Sequence, residues 1–475
     1  MSTPFWVAGK PTTSAETAVV QNPYDDSEAG RHDVPTAADV ETAIAAAHDV
    51  RHETAALPAY VRAGALDHVS RTLDARRDEF AELITAESGK PLKWARMEVG
   101  RAISTFRWAA EEARRFSPRM QRLDTDPGAV GRTAMIRRVP RGPVLGITPF
   151  NFPLNLVAHK VAPAIAVGAP IVLKPAPGTP LTALLLGSVL AGTDLPAGAW
   201  SVLPVPNSAA ASLTEDPRLP IVSFTGSVPV GWAIKESVPR KHVALELGGN
   251  GGVLVTPDYT DLEYAAKRIA TFAMYQAGQS CISVQRVYVH ADHYDRMREL
   301  VVAEVRNLVT GDPGDPSTDV GPMINLAAAE RVESWVADAV KAGATLETGG
   351  GRSGATVEPT VLSGVPEDAS VMAGEVFGPV VSLDRVDSVQ EGFDRINNSR
   401  FGLQAGVFTT DLRTAFEAGT KLEVGGVLIG DVPSFRADQM PYGGIKDSGV
   451  GREGPASAME DFTEEHITVF TGLPI

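Results

Sequence analysis

From Pro143 onward the sequence alternates short apolar runs with longer helical stretches. The apolar runs predict five strands: Val144 to Thr148, Ile171 to Lys174, Ser201 to Val205, Ile221 to Thr225 and His242 to Leu247. Helices are expected between them near 155–167, 179–192, 207–215 and 227–237. Neighbouring parallel strands need a long crossover connection, which is usually a helix. The alternation therefore predicts an α/β fold in which helices cover a parallel sheet.

A second alternating set begins after Gly252. Its strands are predicted near Gly252 to Val255, Gln285 to His290, Val380 to Asp384, Ala405 to Thr409 and Gly426 to Gly430. Upstream, Ala37 to Arg51, Pro58 to Gly89 and Lys93 to Arg115 have helical spacing and are expected to cover the first sheet. The sequence thus predicts two α/β domains, with the N-terminal helices on the first.

Charge and hydropathy exclude two classes of partner. The chain has 475 residues and a net charge of −15, and no run of Lys or Arg is long enough to follow a phosphate backbone, so we expect no nucleic-acid partner. The longest apolar stretches, Val161 to Leu173 and Leu181 to Gly192, fall short of the roughly 20 residues that span a bilayer. We therefore expect a globular protein without a membrane segment.

The chain contains one cysteine, Cys281. A single cysteine cannot form an internal disulfide, and residues 1–10 lack the basic start and apolar core of a secretory signal. We expect a cytoplasmic protein. A free cysteine is usually a small buried hydrophobe, but the neighbours Gly278, Gln279 and Ser280 are small or polar and lie between a predicted helix and strand, which suits an accessible, reactive thiol.

Two further segments present polar side chains where predicted strands end. Glu246 ends an apolar strand and precedes two glycines, and a carboxyl group in an apolar setting has the raised pKa that a general base needs. Asn151 lies between two prolines that restrict the backbone, so its amide is presented rigidly, as an oxyanion hole requires. Taken alone, Glu246 could be a solvated glutamate, and the segment around Asn151 could be a simple turn.

The segment Ser223 to Gly231 runs from a strand through a glycine turn into a helix, whose start is marked by Ser227 and Pro229. Such a helix N-terminus suits a phosphate group, although the G-x-G-x-x-G pattern of dinucleotide-binding folds is missing. Lys174, at another strand end, could meet a ribose or a phosphate or be an ordinary surface lysine.

Seven short motifs, in order and spacing, resemble those of the aldehyde dehydrogenase superfamily and extend over nearly the whole chain. They are Pro149-Phe-Asn-Phe-Pro153, Lys174-Pro175, Phe224-Thr-Gly-Ser227, Glu246-Leu-Gly-Gly249, Gly278-Gln-Ser-Cys281, Glu375-Val-Phe-Gly-Pro379 and Pro441-Tyr-Gly-Gly444. The resemblance implies a non-standard Rossmann domain (1–121 and 140–249), a catalytic domain (250–448) and a β-arm with a tail (122–139 and 449–475). It also implies a homodimer or homotetramer, with the arm strands Arg122 to Val139 and Thr463 to Thr471 joining the subunits.

The same resemblance implies a reaction and its residues. Cys281 would attack an aldehyde, Asn151 and the Cys281 N–H would hold the oxyanion, and Glu246 would activate the water that hydrolyses the thioester. NAD or NADP would be the cofactor, bound by Lys174 at the adenosine ribose, Glu375 at the nicotinamide ribose and further residues along its length: Thr148, Pro149, Phe150, Ala176, Pro177, Phe224, Thr225, Gly226, Ser227, Leu247, Gly248 and Phe377.

Two departures from general-purpose relatives bear on specificity. Many NAD-preferring relatives carry a glutamate three residues after the lysine, whereas this chain has Pro177, so we hypothesise that NADP is at least tolerated and leave the preference open. Polar side chains also stand where those relatives have an apolar tunnel: Asn155, His159, Arg436 and Tyr442. They resemble the branch that acts on small hydroxy- or anion-bearing aldehydes, such as lactaldehyde, glyceraldehyde phosphate or phosphonoacetaldehyde, although Arg436 could also be a structural ion-pair partner and His159 a core residue.

The sequence is also compatible with other interpretations. A CoA-acylating dehydrogenase passes the acyl group to a thiol and needs no water-activating base, so Glu246 argues against it. A catalytically idle protein with the same fold would form no NAD(P)H in an absorbance assay, and a general short-chain aldehyde dehydrogenase is a further alternative. A metal site could be drawn from His48 and His52 at i and i+4 on a helix, but the H-E-x-x-H pattern is missing and we expect no metal.

Overall fold

Two mostly parallel sheets organise the computed structural model, which describes residues 2–472. The first sheet has eight strands; in spatial order they are Lys10–Thr12, Phe5–Val7, Trp200–Val202, Ile171–Lys174, Val144–Ile147, Ile221–Thr225, His242–Glu246 and Gly449–Val450. The five predicted strands form its centre and pair in parallel. The first alternating pattern is therefore confirmed.

The second sheet has seven strands. In spatial order they are Thr345–Thr348, Thr360–Ser363, Val380–Val386, Val284–His290, Gly251–Val255, Gln404–Phe408 and Gly426–Ile429. All five predicted strands are present, and two further strands, at 345–348 and 360–363, extend the edge. Most central strands of both sheets are buried along their length, which is why they appear in the sequence as continuous apolar runs.

Helices cover both sheets and enclose two separate apolar cores. The first core lies under Ala37–Ala56, Ala59–Ala75, Arg77–Ser88, Leu92–Arg115, Asn155–Val167, Leu181–Leu190, Ala210–Thr214, Val228–Ser237 and Pro455–Asp461. The second core lies under Leu262–Met274, Tyr294–Arg306, Leu326–Lys341, Ser370–Ala373, Val389–Asn397 and Leu412–Lys421. The stretch 58–89, predicted as one helix, is two helices that meet at Arg76, whose ψ of 24° leaves the helical range. That prediction was wrong because no Pro or Gly marks the break and only packing against Leu92–Arg115 reveals it.

A third, separate sheet contains the segments predicted as the arm. Thr463–Thr471 pairs antiparallel with Arg132–Pro140, which pairs with Arg119–Arg122. Gly449–Val450 lies in the first sheet, although the sequence prediction grouped it with the tail. Three short two-stranded ribbons complete the structure: Thr17–Gln21 with Glu28–Asp33, Arg352–Ser353 with Thr356–Val357, and Phe401–Gly402 with Ile445–Lys446.

Among the described residues, none of the helices is long and apolar enough to cross a membrane.

Candidate active site

A strained turn presents Cys281. Gln276, Ala277 and Gly278 are consecutive left-handed residues with φ of 54°, 53° and 67°. A Cβ atom at Gly278 would lie 2.0 Å from the carbonyl oxygen of Gly378, so only glycine fits there. Non-glycine residues in this region each cost about 1 to 3 kcal/mol, and such strain is concentrated at functional sites.

The thiol of Cys281 is partly buried, and its sulfur lies 2.9 Å from the hydroxyl oxygen of Tyr442. Burial raises the pKa of Cys281 to about 12, while the hydrogen bond with Tyr442 acts in the opposite direction. The resting side chain is therefore a thiol, and its conversion to a thiolate depends on the groups around it.

Asn151 lies beside the same turn. Its side-chain amide donates a 3.0 Å hydrogen bond to the carbonyl oxygen of Gln279, and the Gln276 side chain donates to the Asn151 carbonyl oxygen. Within residues 2–472 the backbone N–H of Cys281 donates no hydrogen bond. Two N–H donors, one on Asn151 and one on Cys281, are thus available near the sulfur, an arrangement that can accept a developing negative charge.

Glu246 ends its strand in a buried position, and neither carboxyl oxygen has a hydrogen-bond partner among the described residues. Burial and the nearby charge of Glu453 raise the pKa of Glu246 well above its usual range. A carboxyl group with a raised pKa can exchange a proton with a neighbouring water molecule.

A cavity of about 360 Å³ opens at the carboxyl edge of the first sheet and brings together most of the predicted residues. It is lined by Pro149, Phe150, Asn151, Leu156, Thr225, Gly226, Ser227, Glu246, Leu247, Gly248, Cys281, Arg331, Glu375 and Phe377. Ser227 precedes the helix Val228–Ser237 and makes no side-chain cap hydrogen bond, so the first N–H groups of that helix remain available to a ligand. We call this the large cavity.

Glu375 faces the two glycines that follow Glu246. Its carboxylate accepts a 3.0 Å hydrogen bond from the N–H of Gly249, and a Cβ atom at Gly248 would lie 2.3 Å from the other carboxyl oxygen. Burial raises the pKa of Glu375 to about 7. Arg331, which also lines this cavity, was not selected from the sequence because it lies in a helix with many other charged residues.

Five of the residues predicted to bind the cofactor do not line the large cavity. Thr148 donates a backbone hydrogen bond to Lys174, and Phe224 packs beneath Gly226. Lys174 is buried, its ammonium donates a 2.9 Å hydrogen bond to the side chain of Asn207, and burial lowers its pKa to about 8. Ala176 and Pro177 form the more exposed turn that follows Lys174. All five lie at or next to the carboxyl edge of the first sheet.

A narrow cavity also borders Cys281, and a neighbouring space of about 130 Å³, which we call the vestibule, shares part of its lining. Arg101, Phe152 and Arg436 line both spaces. Tyr442 and Asn155 line the narrow cavity, as do Glu246 and Glu453. Glu246 therefore borders both the narrow cavity and the large one, with Cys281 between them.

Two of the four residues predicted for the substrate, Asn155 and His159, contact a buried aspartate that the sequence analysis did not select, Asp438. Asn155 donates a 3.2 Å hydrogen bond to the Asp438 carboxylate, and the His159 ring lies 3.1 Å from it. Arg101 completes the group with a 2.9 Å ion pair. Although burial opposes it, the hydrogen bond from His159 and the charge of Arg101 hold the pKa of Asp438 below its usual range.

Arg436 is held on three sides. Its guanidinium lies 3.1 Å from the Glu453 carboxylate and 3.1 Å from the His159 ring, and it stacks 3.9 Å above the ring of Tyr442. Glu453, also not selected from the sequence, forms a second buried ion pair with Lys160 at 3.4 Å. Arg436 is thus both an ion-pair partner and part of the cavity wall.

The sequence profile described as the aldehyde dehydrogenase family matches residues 7–468. The chain belongs to this family. A 3-sulfolactaldehyde dehydrogenase of Priestia aryabhattai is 42% identical over 466 residues, covering 98% of this chain and 97% of the relative. Aldehyde dehydrogenase 21 of Physcomitrella patens, solved with the reaction product succinate, is 44% identical with a TM-score of 0.98 and covers 100% of this chain and 99% of that one.

A glyceraldehyde-3-phosphate dehydrogenase of Methanocaldococcus jannaschii, solved with NADP, is 34% identical with a TM-score of 0.92, covering 96% of this chain and 100% of that one. The resemblance drawn from seven motifs and the α/β aldehyde dehydrogenase fold are confirmed. The protein is an oxidoreductase that acts on an aldehyde with NAD or NADP. The large cavity fits such a cofactor, since the helix after Ser227 offers free N–H groups to a phosphate and Glu375 offers a carboxylate to a ribose.

Within the described residues no group of three or more His, Cys, Asp or Glu side chains is placed to hold a metal ion. His48 lies 3.6 Å from Asp49 on the helix Ala37–Ala56.

Proposed function

We propose that the protein oxidises a small anionic aldehyde to a carboxylic acid. The observation that carries this proposal is the convergence of one thiol, two N–H donors and an unpartnered carboxyl group on a single point between two cavities. Cys281 attacks the carbonyl carbon, and the Asn151 amide and the Cys281 N–H hold the resulting oxyanion. When bound, NAD or NADP supplies the hydride acceptor.

Glu246 completes the reaction. Loss of hydride from the thiohemiacetal carbon leaves a thioester on Cys281, and Glu246 takes a proton from the water that attacks it. The position of Glu246 at both cavities supports this role, because water can reach the thioester from either side. Release to water rather than to CoA distinguishes this proposal from an acylating dehydrogenase.

Residues around the large cavity would hold the cofactor. Glu375 would accept hydrogen bonds from the nicotinamide ribose, and Lys174 would meet the adenosine ribose. The turn Phe224 to Ser227 would lie along the phosphates. Because Pro177 contributes no carboxylate next to Lys174, a 2′-phosphate would meet no repulsion, and we propose that NADP is accepted.

The cations that line the narrow cavity support an anionic substrate. Arg101 and Arg436 both line it, and the Arg101 side chain is 21% exposed, so its guanidinium can meet an anionic substituent on the aldehyde. The names of two relatives, a sulfolactaldehyde dehydrogenase and an enzyme solved with succinate, agree with such a substrate.

We further propose that the chain comprises a cofactor-binding domain, a catalytic domain and an arm divided as the sequence predicts, and that the arm joins subunits into a homodimer or homotetramer in the cytoplasm. Ile467 and Val469 on its outer strand are 63% and 49% exposed, which suits an interface.

A substrate panel tests the function. Initial rates of NAD(P)H formation would be measured with 3-sulfolactaldehyde, succinic semialdehyde, glyceraldehyde 3-phosphate, lactaldehyde and propanal, each with both cofactors. We expect kcat/KM for at least one anionic aldehyde to exceed that for propanal by about a hundredfold, roughly 2.7 kcal/mol. Equal values for propanal and every anionic aldehyde would contradict the proposed substrate class, and no activity with any aldehyde would contradict the function.

A further inference from the structure

A basic cavity lies at the amino edge of the first sheet, opposite the edge that holds Cys281. Its volume is about 610 Å³, and five arginines line it: Arg51, Arg62, Arg137, Arg138 and Arg141. His52 and His466 add two titratable groups, and no carboxylate belongs to the lining. Such a concentration of positive charge is unexpected in a chain whose net charge is −15.

Only part of this charge is neutralised within the described residues. Arg141 pairs with Glu464 at 3.3 Å, and Arg138 lies 3.7 Å from Glu465, both on the outer arm strand. Among residues 2–472 Arg137 has neither an ion pair nor a side-chain hydrogen bond, and on the arm sheet it stands directly opposite His466, whose ring lies 3.5 Å from Glu464. The described residues therefore leave the charge of Arg137 uncompensated, which favours an anion beside it.

Arg62 is bound only through part of its guanidinium. One nitrogen donates a 2.8 Å hydrogen bond to the carbonyl oxygen of Ala166 near a helix C-terminus, but its buried Nε atom has no partner among residues 2–472. The Nε atom of Arg141 is likewise buried and unpartnered. Burial lowers the pKa of Arg62, because no carboxylate compensates for the loss of water around its charge.

Apart from Ser117, the rest of the lining is apolar. Phe116, Pro118, Val139 and Pro140 form one wall, and Val167 and Pro170 contribute from the end of a helix. A ligand for this space needs two or more charged oxygen groups for the arginines and a carbon skeleton for the apolar wall. Guanidinium groups recognise phosphate through paired hydrogen bonds.

We propose that this arginine cavity binds a small phosphorylated molecule with at least two phosphate groups, at a site separate from the active site. None of the residues that line it also lines the large cavity, the narrow cavity or the vestibule, so it is separate from these spaces. The inference does not depend on the proposed substrate.

Titration calorimetry with inorganic pyrophosphate and with a sugar bisphosphate tests the site, using the full chain saturated with NADP so that the cofactor cavity is occupied. We expect a Kd below about 1 mM for one probe or both. Arg137→Gln and Arg51→Gln should each weaken binding at least about tenfold, because each removes one charge from the cavity. Arg240→Gln, at an exposed arginine outside the cavity, is the matched control and should leave Kd unchanged.

Absence of measurable binding to the unaltered protein would overturn the proposal. So would Kd values that do not differ between Arg137→Gln, Arg51→Gln and the control, since the phosphates would then bind elsewhere. A change of oligomeric state in Arg137→Gln without pyrophosphate binding to the unaltered protein would also overturn it, in favour of an acidic segment of a second copy in the cavity. Unaltered aldehyde oxidation in Arg137→Gln would leave the proposed function intact.

Discussion

The hydroxyl oxygen of Tyr442 lies 2.9 Å from the sulfur of Cys281. A hydrogen bond from a phenol stabilises a thiolate more than a thiol, so this contact lowers the pKa of Cys281 against the effect of burial. Tyr442 thereby couples the nucleophile to Arg436, which is stacked on its ring.

Tyr442→Phe should therefore raise the pKa of Cys281 by about one unit, since a hydrogen bond to a charged group contributes roughly 1.5 kcal/mol or more. The pH dependence of inactivation by iodoacetamide measures this change. Tyr275→Phe is a matched control, because the hydroxyl of Tyr275 bonds Ser280 at 3.0 Å rather than the sulfur. Identical alkylation profiles for Tyr442→Phe and the unaltered protein would exclude the coupling.

Glu246→Gln should separate the two halves of the reaction. The amide cannot take a proton from water, so steady-state turnover should fall by about a hundredfold or more, while the first turnover still releases NAD(P)H. Rapid-mixing measurements would show a burst of about one equivalent followed by a slow phase. Loss of the burst together with turnover would mean that Glu246 acts before the thioester forms.

The pKa of Glu375 predicts that NAD⁺ binding depends on pH. Its pKa of about 7 means that the group is an ionised acceptor above pH 7 and is increasingly protonated below it. The Kd for NAD⁺ should therefore increase about three- to tenfold when the pH is lowered from 8 to 6, because a neutral carboxyl group accepts weaker hydrogen bonds from a ribose. Fluorescence titration measures this Kd. Glu375→Gln should bind NAD⁺ more weakly, with a Kd that does not change with pH over this range. If the Kd of Glu375→Gln changes with pH as that of the unaltered protein does, another group causes the pH dependence.

Arg101→Gln should discriminate between substrates. Arg101 lines the narrow cavity and the vestibule, and its side chain is 21% exposed, so it can contact a ligand more readily than the buried Arg436. We expect KM for an anionic aldehyde to rise about ten- to a hundredfold and KM for propanal to change less than about threefold. Arg107→Gln, on the same helix but outside both spaces, is the control; equal effects of Arg101→Gln on both substrates would remove the case for charge recognition.

Pro177→Glu should move cofactor preference toward NAD⁺. The exposed carboxylate would repel the 2′-phosphate of NADP⁺, reducing kcat/KM for NADP⁺ by at least about tenfold. Pro177→Gln introduces the same bulk without the charge and should have a smaller effect. For the unaltered protein, a preference for NAD⁺ above about a thousandfold, roughly 4 kcal/mol, would defeat the hypothesis that NADP is accepted.

Local pattern predicted the elements that are buried along their whole length. The strands Ile171–Lys174 and Ile221–Thr225 were predicted to the residue because each is a short apolar run between turn signals. Strands with exposed or mixed faces, such as Lys10–Thr12 and Thr345–Thr348, gave no comparable signal.

The candidate site was predictable only in part. Cys281, Asn151 and Glu246 each stand in a motif, and the structure brings all three to the large cavity. Asp438 and Glu453 stand in no such pattern, because their partners Arg101 and Lys160 are about 300 residues away in the chain and only the fold brings them together. Long-range ion pairs of this kind have no local sequence signature.

The position of Cys281 as the only sulfhydryl group in the chain has a consequence for oxidative stress. If peroxide converts the side chain to a sulfenic acid, no second cysteine is available to trap it as an internal disulfide. Recovery of the enzyme must then come from an external reductant such as a small cellular thiol, and its entry is limited by the openings of the large cavity and the narrow cavity, both of which Cys281 lines. Occupancy of those openings would also decide how readily the nucleophile is lost.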